Sequence, residues 1–115
     1  MSIQLIDAFL AGDATAAAAH LAPGATFHSP IRDYAGAERI SAVWQAVAGV
    51  VHDARTTSVH ENRGETVAFF AGSIGDAPVD GVLRALSDED GRVEDVTLMV
   101  RPWSALKAGL AGIKV

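Results

Sequence analysis

Ala25-Thr26-Phe27-His28-Ser29-Pro30 and, just beyond it, Gly36-Ala37-Glu38-Arg39-Ile40 decide how this chain folds. Ala25 to Ser29 reads as a short strand. Pro30 blocks its extension, because the ring removes a backbone donor. Ile31 to Ala35 reads as a loop. Gly36 then leads into Ile40, Val43, Trp44, Val47 and Val51, the i, i+3, i+4, i+7 spacing of a helix with one apolar face. That helix is expected to end near Val51-His52-Asp53.

Upstream, Ile3, Ile6, Phe9 and Leu10 recur at helical spacing and predict a helix over 2–11. Gly12 ends it, and Asp13 caps a second, alanine-rich helix that His20, Leu21 and Ala22 finish before Pro23-Gly24. Downstream, strands are predicted over 55–61, 66–74, 79–86 and 92–101, separated by turns at Asn62-Arg63-Gly64, Gly75-Asp76-Ala77-Pro78 and Asp88-Glu89-Asp90-Gly91. Pro102 ends the sheet, and Ser104 is read as the cap of a last helix through about Leu110, weakened by Gly109 and Gly112. Helices first and a meander last give an α+β layout, with three helices on one face of a curved antiparallel sheet. Val96, Leu98 and Val100 share one face of the last strand. The opposite face has Thr97 and Met99, with Val82 and Leu86 beside them, and is too apolar to be left to water. A second copy of the chain is its expected cover, making a homodimer.

The 115 residues are expected to form one domain over 1–115, long enough to bury a real core. Half the residues are apolar, the net charge is −5, and no cluster of Lys and Arg occurs. No basic face is available to neutralise phosphates, which argues against nucleic acid as a partner. There is no cysteine for disulfide or thiolate chemistry. No apolar run approaches the roughly 20 residues needed to span a bilayer, so no membrane role is expected. Met1-Ser2-Ile3-Gln4 lacks the basic start of a signal peptide, and the expectation is a cytoplasmic protein. The four histidines show no metal-binding spacing, and neither a metal nor a cofactor is expected.

The chain resembles the NTF2-like superfamily, in particular its SnoaL-like branch. The resemblance rests on Phe9-Leu10-Ala11-Gly12-Asp13, Phe27-His28-Ser29-Pro30, Gly36-Ala37-Glu38-Arg39-Ile40, Asp88-Glu89-Asp90-Gly91-Arg92-Val93 and Val100-Arg101-Pro102, in that order. Relatives include ketosteroid isomerases, limonene-type epoxide hydrolases, scytalone dehydratases and polyketide cyclases. The resemblance implies an NTF2-like, cystatin-like cone. A pocket would open between the first helix, the third helix and the concave face of the sheet, and copies would pair sheet against sheet. It also implies where an isomerase would keep its acids. The general-base position is Ser29, the protonated-aspartate position Leu83 and the tyrosine position Leu5. No set of two carboxylates bridged by an arginine stands at positions matching the epoxide hydrolases.

The expected function is binding of a small apolar or ring-shaped molecule in an apolar pocket. Leu5, Phe9, Phe27 and Trp44 are expected to line it, with Phe69, Leu83, Val96 and Leu98 from the sheet. Ser29 is its one polar anchor, unless its hydroxyl closes the turn at Pro30. One alternative is a SnoaL-like isomerase, cyclase or dehydratase acting on a polyketide- or terpenoid-like substrate, with His28 or His60 as the base. A second is a dimeric assembly module without a ligand. His28 has the opposite parity to Ser29 and so points away from the pocket on a regular strand. His60 shares parity with Thr56 and Ser58, on either face. Trp44 and Phe69 are open to a core or a pocket role, and His20 and His52 are read as helix C-terminal residues. Tyr34 and Asp33 fall near the expected pocket mouth. Arg101 is expected in a structural salt bridge, and Asp88-Glu89-Asp90-Gly91 as a turn rather than a calcium loop.

Overall fold

Asp13 does what its position predicts. Its carboxylate accepts the Ala16 backbone N–H at 3.0 Å and caps a helix, satisfying one of the donors a helix start leaves open. The structure is a computed structural model and describes residues 2–113. α1 (Ser2–Leu10) buries Leu5 and Ile6, and α2 (Ala14–Ala18) buries Ala14 and Ala17. The alanines let α2 lie close against its neighbours. α2 is shorter than its composition suggests, because Leu21 already begins β1 (Leu21–His28). Pro23 and Gly24 therefore sit inside a strand, at the register break between Leu21 and Thr26. A bulge tolerates proline because no ladder donor is needed there.

The segment expected as a loop contains β2 (Asp33–Ala35), antiparallel to β1 with Tyr34 opposite Phe27. α3 (Ala37–Val47) buries Ile40, Val43 and Trp44 and stops before Val51. Ala48 has already left helical conformation at ψ 129°. β3 (His52–Asn62), β4 (Glu65–Ile74), β5 (Ala77–Ser87) and β6 (Val93–Arg101) follow as the expected meander. α4 (Trp103–Leu110) closes the fold, with Pro102 rather than Ser104 as its first flanking residue. A Cβ at Gly109 would run into the Ile74 side chain. That glycine lets α4 lie close on β4 rather than merely weakening the helix end.

The sheet order is β2-β1-β6-β5-β4-β3. All pairings are antiparallel except β1 on β6, which is parallel. Register puts Phe27 beside Val96, Val96 beside Ala85, and Leu83 beside Leu98 and Ala68. Those residues share the concave face and pack under Leu5, Ile6, Ile40 and Trp44 from the helices. A smaller apolar cluster of Ile74, Val79, Ala105 and Leu106 seals the α4 end. Among the described residues no helix is long and apolar enough to cross a membrane.

Candidate functional site

The helices do not fill the whole concavity. A cavity of about 90 Å³ remains between α1, α3, α4 and the sheet. α1 contributes Phe9 and Leu10, α3 contributes Val43, Trp44 and Val47, and α4 contributes Leu106 and Leu110. The sheet contributes Phe27, Tyr34, Phe70, Leu98 and Val100. Exposed Pro30 and Ile31 lie on its rim. Phe70 can lie flat along the wall because it faces Gly81 across the β4–β5 ladder. A Cβ at Gly81 would collide with the Met99 carbonyl and sit 2.6 Å from Phe70 Cζ.

The aromatic part of the wall is interlocked. Phe27 stacks on Tyr34 at a 6.1 Å centroid separation and meets Trp44 edge-on at 5.4 Å. Phe9 meets Trp44 edge-on at 5.2 Å. The Arg39 guanidinium lies over the Tyr34 ring, 5.5 Å from its centroid. Each such pair adds to plain burial, so the wall is held in one arrangement. The lining residues include no carboxylate, imidazole, ammonium or guanidinium; Tyr34 is their one ionisable side chain. Its Oη and Trp44 Nε1 are buried with no hydrogen-bond partner among the described residues.

Of the residues expected in the pocket, Phe9, Phe27, Ser29, Trp44 and Leu98 line this cavity. Leu5, Leu83 and Val96 do not; they are wholly buried in the filled core beside it. Phe69 is 43% exposed on the opposite, outer face of the sheet, and Phe70 takes the inward place. Two adjacent phenylalanines on a strand must face opposite ways, and the sequence does not say which faces in. Ser29 turns out to close the turn. Its Oγ donates to the Arg32 carbonyl at 2.7 Å and accepts the N–H of Ile31 and of Arg32. Its hydroxyl is therefore engaged by backbone.

Neither candidate base reaches the cavity. His28 is on the outer face, with Nδ1 2.9 Å from Asp33 Oδ1 and Nε2 3.0 Å from Asp95 Oδ2. The Asp33 and Asp95 hydrogen bonds raise its pKa above the ordinary value. His60 also faces outward, its ring edge-on to Phe69 at 6.1 Å. The shared parity expected of Thr56, Ser58 and His60 is broken by a register shift between Thr56 and Ser58. His52 opens a strand rather than ending a helix. It lies 2.8 Å from Asp53 and 2.9 Å from the Gly75 carbonyl, and those acceptors, Asp53 first, raise its pKa. His20 lies just beyond α2, where its carbonyl accepts the Val93 N–H. Arg101 pairs with Asp80 at 3.5 Å within the chain. Asp88 closes the acidic turn by accepting the N–H of Asp90 and of Arg92. Among the described residues no group of His, Asp and Glu could hold a metal ion.

Sequence reasoning missed Phe70, Leu106 and Leu110 as wall residues. The i, i+4 spacing of Leu106 and Leu110 was the available signal. Tyr34 reaches the wall through the β1–β2 pairing, which the Pro30 break in the sequence gives no sign of.

The sequence profile of the SnoaL-like domain matches residues 3–101. The chain belongs to the SnoaL-like family. It has the NTF2-like, cystatin-like fold, and solved structures share it. A steroid delta-isomerase from Pseudomonas aeruginosa is 28% identical, with a TM-score of 0.81 over 93% of this chain and 81% of that one. A bacterial protein of cystatin-like fold from Silicibacter pomeroyi DSS-3 is 21% identical, with a TM-score of 0.84 over 95% of this chain and 81% of that one. A SnoaL-like protein of unknown function from Burkholderia thailandensis E264 is 20% identical, with a TM-score of 0.71 over 88% and 92%. No curated protein matches this SnoaL-like domain in sequence.

Proposed function

We propose that this SnoaL-like domain binds a small, uncharged, ring-shaped molecule in the cavity. The observation that carries the reading is a concave, aromatic-walled space with no acid or base on its wall except the Tyr34 phenol. Apolar walls with a few polar groups are the usual form of a small-molecule site. Proton-transfer chemistry needs a group of suitable pKa within hydrogen-bond reach of the reacting atom. His28 and His60 are on the other side of the sheet, so binding is favoured over an isomerase, cyclase or dehydratase. The likeness to a steroid delta-isomerase supports a ring-shaped ligand; it supports no reaction, because the family scaffold hosts many functions. The volume has room for on the order of six waters, at roughly 15 Å³ each, which suits one or two fused rings.

A panel of mono- and bicyclic compounds, read by thermal shift, tests this. A ligand that binds only the folded form raises the melting temperature. The shift is expected in the native chain and lost in Val47→Trp, whose indole fills the space beside α3. Absence of a shift with every compound, or an undiminished shift in Val47→Trp, rejects the reading.

A second observation favours pairing of two copies through the outer face, leaving the cavity of each free. Phe69, Val82 and Met99 lie in register across three adjacent strands. Phe69 and Met99 are 43% and 60% exposed. One flank of this apolar row carries Arg101 and Asp80, the other Arg84 and Glu65. Charge is thus confined to ion pairs on the flanks, and the apolar row between them is free to be covered by the same row of a second copy.

A further inference from the structure

The rim of the cavity and an imidazole between two carboxylates meet in one short hairpin. β1 and β2 pair over three residues, Thr26 with Ala35, Phe27 with Tyr34 and His28 with Asp33. The turn between them carries Pro30 and Ile31, which line the cavity at its rim. Tyr34 anchors the far end of the hairpin, buried and stacked on Phe27. The turn is held less firmly. Pro30, Ile31 and Arg32 are exposed, and the side-chain bonds of Ser29 run to Ile31 and Arg32, inside the turn. A segment with little apolar burial opens more readily than the core. His28 with Thr97 is the last registered pair of β1 with β6, so the His28 side chain stands where the hairpin leaves the sheet. Its ring spans that point, Nδ1 2.9 Å from Asp33 Oδ1 on β2 and Nε2 3.0 Å from Asp95 Oδ2 on β6.

We propose that His28 is a pH-dependent clasp on the turn 29–32, and that its release loosens the cavity rim and speeds ligand exchange. The inference rests on the cavity being a binding site. An ionised carboxylate only accepts hydrogen bonds, and a neutral imidazole has a single N–H. Only the imidazolium can therefore donate to Asp33 and Asp95 together. The neutral ring gives up one of the two bonds, and β2, β1 and β6 are then no longer tied through one side chain. The charged groups facing the ring are Asp33 from β2 and Asp95 from β6. Beyond Thr97 in the same row, Arg84 on β5 is paired with Glu65 on β4. The ring thus meets carboxylates alone, which raise its pKa, Asp33 first. The clasp is complete below the ordinary histidine value and is lost as pH rises through the raised folded value. A histidine placed this way switches in the range where cells work.

Two measurements on the full chain test this, each at about pH 6 and about pH 8.5, on either side of histidine titration. The first is hydrogen exchange by NMR, corrected for intrinsic rates. The Ser29 N–H donates to the Arg32 carbonyl inside the turn, and the Gly36 N–H donates to the Ala25 carbonyl at the anchored end. Protection of Ser29 is expected to fall about three-fold relative to Gly36 at the higher pH, the size of one screened ion pair. The second is the dissociation rate of naphthalene, a neutral bicyclic probe with nothing to titrate, which should rise by a similar factor. Both changes should vanish in His28→Gln and in Asp33→Asn, which leaves the ring one carboxylate. Ser29 protection that follows Gly36 at both pH values overturns the clasp and leaves the cavity as a binding site. Protection that falls while the dissociation rate stays constant overturns the coupling to ligand exchange. A pH dependence that persists in both variants belongs to other groups and overturns the role of His28. Failure of naphthalene to bind at either pH removes the binding site, and this inference with it.

Discussion

His28 Nε2 lies 3.0 Å from Asp95 Oδ2, across the seam where β1 runs parallel to β6. Its other ring nitrogen faces Asp33 on β2. One imidazole thus ties three strands on the outer face, while the adjacent Phe27 and Ser29 face the cavity side. Both partners favour the protonated ring, so the folded-state pKa is raised, first by Asp33 and then by Asp95.

A raised histidine pKa has one sign of pH dependence. Its stabilisation is complete below the unfolded value and is lost as pH rises through the folded value. The ring is 37% exposed, so the pair is screened and is worth only about 0.5 kcal/mol. The native chain should lose about 2 °C more melting temperature than His28→Gln between about pH 6 and pH 9. His52 titrates in both proteins and cancels in the difference. Circular dichroism melts across that range check this, and parallel slopes for the two proteins would deny the seam its role.

Gly81 and Phe70 make a different prediction. The missing Cβ at Gly81 leaves room for the Phe70 ring along the cavity wall and for the Met99 carbonyl beside it. Gly81→Ala should cost about 1–3 kcal/mol, the usual range for forcing volume into a packed site. Urea melts give the loss. Because the clash involves backbone as well as a ring, it should also displace Phe70 and weaken ring binding. A variant as stable as the native chain contradicts the close approach.

The residues that made the fold legible carry their own local instructions. Asp13 predicts a cap, Gly36 a helix start, and the Val96-Thr97-Leu98-Met99-Val100 alternation a half-buried strand; all three are found. Misreadings came where two instructions compete. Pro23-Gly24 looks like a stop signal, yet a bulge absorbs it within β1. Val51 continues the helical spacing, yet α3 ends at Val47. The site was less legible because a cavity is what helices leave unfilled, a property of their mutual placement. Leu5, Leu83 and Val96 have the right face and parity but lie where the packing closes. Phe69 and Phe70 are chemically equal, and only strand register separates them.

The outer row of Phe69, Val82 and Met99 can be tested by solution size. Phe69→Lys places a charge on this apolar row, where covering it with a second copy would have to strip that charge of water. Light scattering should show a dimer for the native chain and a monomer for the variant at the same concentration. The cavity lies on the other face, so ring-compound binding should persist in the monomer. A native monomer, or an unchanged dimer in Phe69→Lys, rules this interface out.

Tyr34→Phe in the absence of ligand is the most direct probe of the orphaned hydroxyl. Removing a hydrogen-bonded buried hydroxyl ordinarily destabilises, by about 1 kcal/mol. Here the hydroxyl has no partner among the described residues, so deleting it removes a desolvation cost and no bond. The phenyl ring still stacks on Phe27 and still receives Arg39 over its face. The variant should therefore melt at the same temperature as the native chain or higher, by up to about 1 kcal/mol in stability. Trp44→Phe is the contrasting case, because a smaller ring leaves a void against Phe9 and Phe27 and should destabilise by about 1–3 kcal/mol. If Tyr34→Phe instead loses about 1 kcal/mol, its hydroxyl is already satisfied inside the fold.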